Sequence, residues 1–323
     1  MVATRHDGLM PLRHVLLAVL VALVWGANFV IIDAGLHDMP PLTFAALRFV
    51  VVLVPAIFLV RRPDVPWRDI VLVGMLMSVA QFGLLYTSLH LGMPPGLASL
   101  VLQVQVMFSV ILAAVALQEK PTARQQVGVL IGLIGLVVVA VGRSAATPLL
   151  ALMLCLGAAL AWAGGNVVAR RVGAQSGLGM TVWSALVVPV PLLGLSLVLD
   201  GPSAIADGLR HADLVTVGST LYTAYLCSLF GYGVWNTLLA RHPAPVVVPF
   251  TLLVPVSGIA TAWLARGERP TTGTALGGVL LMVGVAVTVV RRRRRPRAVA
   301  EDVGLVSKSP QGFPALQVGC EDR

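Results

Sequence analysis

Charge is what this chain has least of. Only 11% of its 323 residues are Asp, Glu, Lys or Arg, whereas a soluble domain uses about a quarter to cover its surface. That shortage excludes a soluble globular fold. Acidic residues are rarer still, 14 in all, and none lies in the middle of an apolar run. Asp33, Glu119, Asp200, Asp213 and Glu268 stand at run ends, so the buried carboxylate common in proton-exchanging pumps for cations is missing. The three cysteines, Cys155, Cys227 and Cys320, have no ligand-like spacing, which argues against a disulfide framework and against a metal site. No glycine-rich loop leads into a phosphate-binding lysine, and no His/Asp or Ser/His pair is set for catalysis. No catalytic residue, metal or cofactor is expected.

What fills the chain is apolar: 57% hydrophobic residues and a mean hydropathy of +0.90. Runs long enough to span a bilayer fall at about 13–33, 42–60, 69–90, 95–117, 124–142, 148–169, 179–199, 213–235, 244–265 and 272–290. Breakers and charges separate them, such as Asp38-Met39-Pro40-Pro41, Glu119-Lys120-Pro121 and Gly267-Glu268-Arg269-Pro270. The first run is followed directly by another and carries no small-residue cleavage motif, so it reads as a retained helix. An all-α transmembrane fold of ten helices is the expected class.

Lys and Arg are distributed unevenly between alternate connections, 18 against 4, with Arg48 left inside a helix. The basic side should be cytoplasmic, which places both termini there. The net charge of +9 owes much to Arg291–Arg295 and Arg297. A cluster directly after an apolar segment reads as an anchor on anionic lipid, not as a nucleic-acid site. Residues 1–12 are then a cytoplasmic N-terminus, and the polar stretch 291–323 a disordered basic cytoplasmic tail.

The chain is also duplicated. Glu119-Lys120-Pro121-Thr122 with Gly128 and Gly135 recurs as Glu268-Arg269-Pro270-Thr271 with Gly277 and Gly284, always 149 residues on. Trp25-Gly26-Ala27-Asn28 has a weaker echo in Trp162-Ala163-Gly164-Gly165-Asn166. Five helices per repeat, 13–142 and 148–290, is an odd number, so the second copy enters the membrane inverted. Inverted repeats are typical of secondary transporters with a site at the midplane between halves.

Polar groups at membrane depth invite a functional reading. Arg48 is the one ionisable group well inside a helix and could hold a carboxylate by paired hydrogen bonds; a structural partner or snorkelling is the alternative. Asn28, Gln81, Gln103, Gln105 and Asn166 are neutral hydrogen-bonding groups that serve a cavity or glue helices together. Tyr222, Tyr225 and Tyr232 fall on one face of the eighth helix, a cavity wall or an interfacial belt. The glycines of the fifth and tenth helices allow close packing, either within the chain or between two copies as a homodimer. Pro189 and Pro191 in the seventh helix, with Pro249 and Pro255 in the ninth, should bend or break them.

Several segments resemble the EamA-type transporters of the drug/metabolite transporter superfamily, and within it the branch that exports O-acetylserine and cysteine. They include Trp25-Gly26-Ala27-Asn28-Phe29, Arg48-Phe49, Gln81-Phe82, the run from Gly92 to Gln103, Trp162 with Gly165-Asn166, Gly231-Tyr232-Gly233-Val234-Trp235 and Glu268-Arg269. The resemblance implies two inverted five-helix repeats, a central cavity, and efflux of amino acids or related metabolites across the bacterial inner membrane. Carried over residue by residue, it places Trp25, Asn28, Gln81, Gln103, Trp162, Asn166 and Tyr232 on the cavity wall, with Arg48 as electrostatic anchor. Asp33 departs from it, standing where a lysine is common. The rival readings are multidrug or other metabolite efflux, and a non-transporting membrane partner such as a lipid-flippase subunit. The implied partners are a small-molecule substrate and membrane lipids, with no nucleic acid.

Overall fold

A computed structural model describes residues 10–172 and 177–290. The expectations for residues 1–9 and for the tail 291–323 lie outside them. Among the described residues the secondary structure is helical throughout, with ten spans: α1 Leu12–Gly35, α2 Pro41–Leu59, α3 Trp67–His90, α4 Pro95–Ala116, α5 Ala123–Gly142, α6 Leu149–Val172, α7 Leu178–Leu199, α8 Leu214–Arg241, α9 Val248–Arg266 and α10 Thr272–Val289. Large apolar side chains point outward on nearly every span; Leu214 is 89% exposed and Phe58 85%. Only hydrocarbon tolerates such a surface.

Local chemistry explains most of the helix ends. Pro41 and Pro95 occupy first-turn positions, where a missing N–H costs nothing. Thr122 and Gln125 form a reciprocal capping box at the start of α5. Asp213 caps α8 and Thr271 caps α10 through their side chains. Two boundaries differ from the sequence expectation. No breaker occurs before His242-Pro243, so α8 continues to Arg241. The connection after α7 contains an amphipathic helix, Gly201–Arg210, which packs Gly208 onto Pro40 and the Asp38 carbonyl in the α1–α2 loop.

The prolines act unequally. α7 is interrupted between Ala185 and Pro189, where Ser184 approaches Gly74 of α3 so closely that a Cβ there would lie 2.6 Å from its carbonyl oxygen. Pro249 sits in a 3₁₀ stretch, Val248–Leu252, while Pro255 falls in the first turn of the helix that follows, where a missing N–H is tolerated.

The duplication is visible in the irregularities themselves. α3 contains a π-helical stretch at Met75–Ala80 and α8 one at Tyr222–Gly231; shifted by 149, the first falls at 224–229, inside the second. α4 carries a 3₁₀ stretch at Leu102–Val104, matching that of α9. α1 packs on α8 and α9, while α6 packs on α3 and α4, so equivalent helices have equivalent neighbours.

The seam between α5 and α10 joins the two copies. A Cβ on Gly135 would lie 2.8 Å from the Gly277 carbonyl oxygen, and one on Gly128 2.8 Å from that of Gly284. Each duplicated glycine thus meets the copy of the other, as a two-fold relation requires. Thr271 also donates to the Gly142 carbonyl, closing the α5 C-terminus. Both glycine faces are therefore occupied inside the chain. Gly135→Val should cost ~1–3 kcal/mol or more, seen as a lower unfolding temperature in detergent. Gly194→Ala, with nothing within 4 Å of the added carbon, should leave it unchanged or raise it.

Candidate functional site

Arg48 enters the bundle from α2 and is sealed there, 2% exposed, too deep to snorkel. Its guanidinium is held by neutral groups: Nη1 donates to the Tyr86 hydroxyl of α3 at 3.2 Å and Nη2 to Ser228 Oγ of α8 at 3.0 Å. The Phe82 ring lies 4.2 Å from Cζ and the Phe49 ring 5.5 Å, which offers cation–π attraction. Nε has no partner, and no carboxylate pairs with Arg48 among the described residues.

The π-helical stretch of α8 organises this region. Its i→i+5 turns loosen the backbone and turn the Cys227 carbonyl toward α1, where it accepts the Trp25 indole N–H at 3.0 Å. Trp25 in turn packs on Tyr232 and Trp235, ring centroids 5.2 and 5.5 Å away. The Tyr222 hydroxyl reaches the Val24 carbonyl at 2.9 Å. The wider turn also breaks the tyrosine face expected from α-helical spacing: Tyr222 and Tyr232 meet α1, while Tyr225 is 40% exposed.

Asn28 is buried, and its Oδ1 has no partner. Gln81 of α3 and Gln103 of α4 are buried. Asn166 of α6 donates to Gln105 Oε1 at 3.1 Å, with Trp162 one turn earlier packed on the core. The structure therefore gathers Trp25, Arg48 and Tyr232 around α8, and joins Asn166 to α4 as a separate pair. Tyr86, Ser228 and the Cys227 carbonyl belong to the first group and were not singled out from sequence. Spacing alone gives no signal for a hydroxyl that meets an arginine across helices.

A crevice of about 760 Å³ opens between α4, α9 and α10, lined among others by Leu97, Leu100, Val256, Ile259 and Val279. It contains none of the eight residues expected at the site. Its rim holds Glu268, whose Oε2 accepts the Gly96 N–H at 3.2 Å at the start of α4. Burial pushes the Glu268 carboxyl above its ordinary range, opposed by that hydrogen bond; Asp33 adds to the rise and Arg266 opposes it. Asp33 is itself paired at 2.6 Å with Arg266, the last residue of α9. The equivalent Glu119 pairs with Arg170 instead. The counterpart of Gly96 in the second copy is Pro245, which has no N–H to offer.

A raised carboxyl pKa means that the fold favours the protonated acid. Its stabilising contribution is complete below the usual value near 4.5 and is lost as pH rises through the folded-state value. Glu268→Gln, which keeps the acceptor for Gly96, should therefore unfold at a higher temperature than the parent at pH 7.5. The difference should shrink toward pH 4.5, checked by thermal unfolding in detergent at both pH values.

The profile of the EamA-like transporter family matches this chain twice, over residues 12–141 and 149–290. The chain is 41% identical over 300 residues to a protein of Escherichia coli (strain K12) named "Probable amino-acid metabolite efflux pump", covering 90% of this chain and 97% of that one. A protein of the same name from Salmonella typhimurium is 41% identical over 288 residues, 87% of this chain and 96% of the other. A "Probable terminal-alkyne amino-acid exporter" of Streptantibioticus cattleyicolor is 28% identical over 295 residues, 85% and 94% of the two chains. One solved crystal structure superposes with a TM-score of 0.59 at 20% identity, covering 85% of this chain and 96% of that chain, which shows a shared fold.

Proposed function

The chain belongs to the EamA-like transporter family, and on that premise we propose that it exports amino acids or closely related metabolites across a bacterial inner membrane, with Arg48 holding the carboxylate of the solute. The observation that carries this reading is a guanidinium buried among neutral groups with its Nε left without a partner. A charge at that depth costs several kcal/mol unless it is paired, and the described residues supply no acid. Tyr86 and Ser228 orient the fork without neutralising it, which leaves its charge for an incoming carboxylate. The printed names of the Escherichia coli and Streptantibioticus cattleyicolor relatives, which concern amino-acid metabolites and an amino acid, support the same class.

In this reading Trp25, Asn28, Gln81, Gln103, Trp162, Asn166 and Tyr232 line the path, and the two inverted copies expose it alternately to either side. The excess of Lys and Arg in alternate connections supports cytoplasmic termini, and the arginine run that follows α10 in sequence suits anionic lipid. The protein moves its substrate unchanged and is not an enzyme.

Arg48→Ala should lower the flux of labelled cysteine or O-acetylserine in proteoliposomes by about 30-fold or more, equivalent to ~2 kcal/mol of lost charge pairing. Membrane expression should stay near that of the parent. Undiminished flux from this variant would remove Arg48 from the site.

A further inference from the structure

Two buried polar atoms beside the π-helical stretch of α8 have complementary needs. Arg48 Nε is a charged donor without an acceptor, and Asn28 Oδ1 is an acceptor without a donor. Both side chains are at least nine-tenths buried, 2% and 9% exposed. Their helices, α2 and α1, reach consecutive residues of α8. On one side Ser228 Oγ takes the Arg48 hydrogen bond at 3.0 Å. On the other, the Cys227 carbonyl takes the Trp25 indole, and its thiol lies 3.8 Å from the Val24 carbonyl. Helical geometry turns Asn28 to within about 40° of Val24 and about 60° of Trp25, on the face of α1 that meets α8. Gly26, between them in sequence, faces Ser257 of α9.

A cationic donor on one flank of α8 and a neutral acceptor on the other match a molecule with an anionic acceptor at one end and N–H donors at the other. The geometry points to Asn28 Oδ1 as the acceptor for the α-ammonium of an amino-acid substrate whose carboxylate rests on Arg48. This rests on the export reading and specifies what that reading leaves open, the recognition of a free amino group. The neutral amide is essential to it. An aspartate at position 28 would present a negative charge to Arg48 and satisfy it in the empty site, whereas an amide accepts from the ammonium and leaves the guanidinium to the carboxylate. An anion without the amine leaves Asn28 unsatisfied, and an amine without the carboxylate meets Arg48 as a like charge. A site built to hydrogen-bond a group discriminates strongly against analogues that lack it.

The test compares L-cysteine with 3-mercaptopropionate, the same molecule without its amino group, as labelled solutes in proteoliposomes, with flux into protein-free liposomes subtracted. The wild-type protein should move L-cysteine about tenfold faster or more. Asn28→Leu, which removes the acceptor and fills its volume, should bring the ratio of the two fluxes close to one. Binding gives a readout independent of transport and of any variant: L-cysteine should perturb the intrinsic tryptophan fluorescence at far lower concentration than 3-mercaptopropionate. Equal wild-type flux and equal binding of the two solutes would overturn the role of Asn28 and leave the export reading intact. No flux or binding of either by folded protein would overturn both.

Discussion

Hydrocarbon supplies no hydrogen bonds, so every backbone N–H and C=O in the spans of this protein must find its partner within the chain. The ten helices meet that demand almost everywhere by their own ladders. Attention therefore falls on the stretches that do not: the π-helical turns of α3 and α8, the 3₁₀ turns of α4 and α9, and the break in α7. Each loosened stretch has a neighbour fitted to it. The Trp25 indole takes the Cys227 carbonyl, and Gly165 of α6 lets Met77 of α3 approach where a side chain would collide. The irregularities of α3 and α8 lie at matching positions of the two copies, and that of α8 supplies Ser228 to Arg48, so one constraint links the duplicated architecture to the site.

Much of this was legible in the amino-acid sequence because hydropathy and charge act over long stretches. Ten apolar runs, their breakers and the 149-residue offset are properties of composition and spacing, and they survive folding intact. Arg48 stood out because a lone charge inside an apolar run has no bland surroundings. Its partners did not stand out. Tyr86 and Ser228 are ordinary residues in ordinary helices, brought to the guanidinium from 38 and 180 residues away. The expected tyrosine face failed for a local reason, since a periodicity of 3.6 was applied to a stretch that turns more widely. The glycines of α5 and α10 were equally suited to two partners on spacing alone, and only folding brings them into mutual contact.

The two copies have also diverged where chemistry, not packing, is at stake. Glu119 and Glu268 occupy equivalent positions, yet one holds Arg170 and the other the N–H of Gly96, because a proline replaced the donor in the second copy. Trp25 binds a carbonyl of the irregular α8, while its counterpart Trp162 packs against apolar neighbours. Arg48 has no basic equivalent, since at the 137-residue offset of Trp25 and Trp162 the matching position, 185, is alanine. A symmetric scaffold thus carries a site that is wholly asymmetric.

The seam of α5 and α10 bears on how such a scaffold could move. Side chains let packed helices slide by exchanging rotamers, but here backbone rests on backbone, and there is nothing to exchange. Each half contributes one member of the pair, and no rotamer change can widen their spacing. A rocking of the halves of the kind proposed above would then have to turn about the protein's least decorated surface.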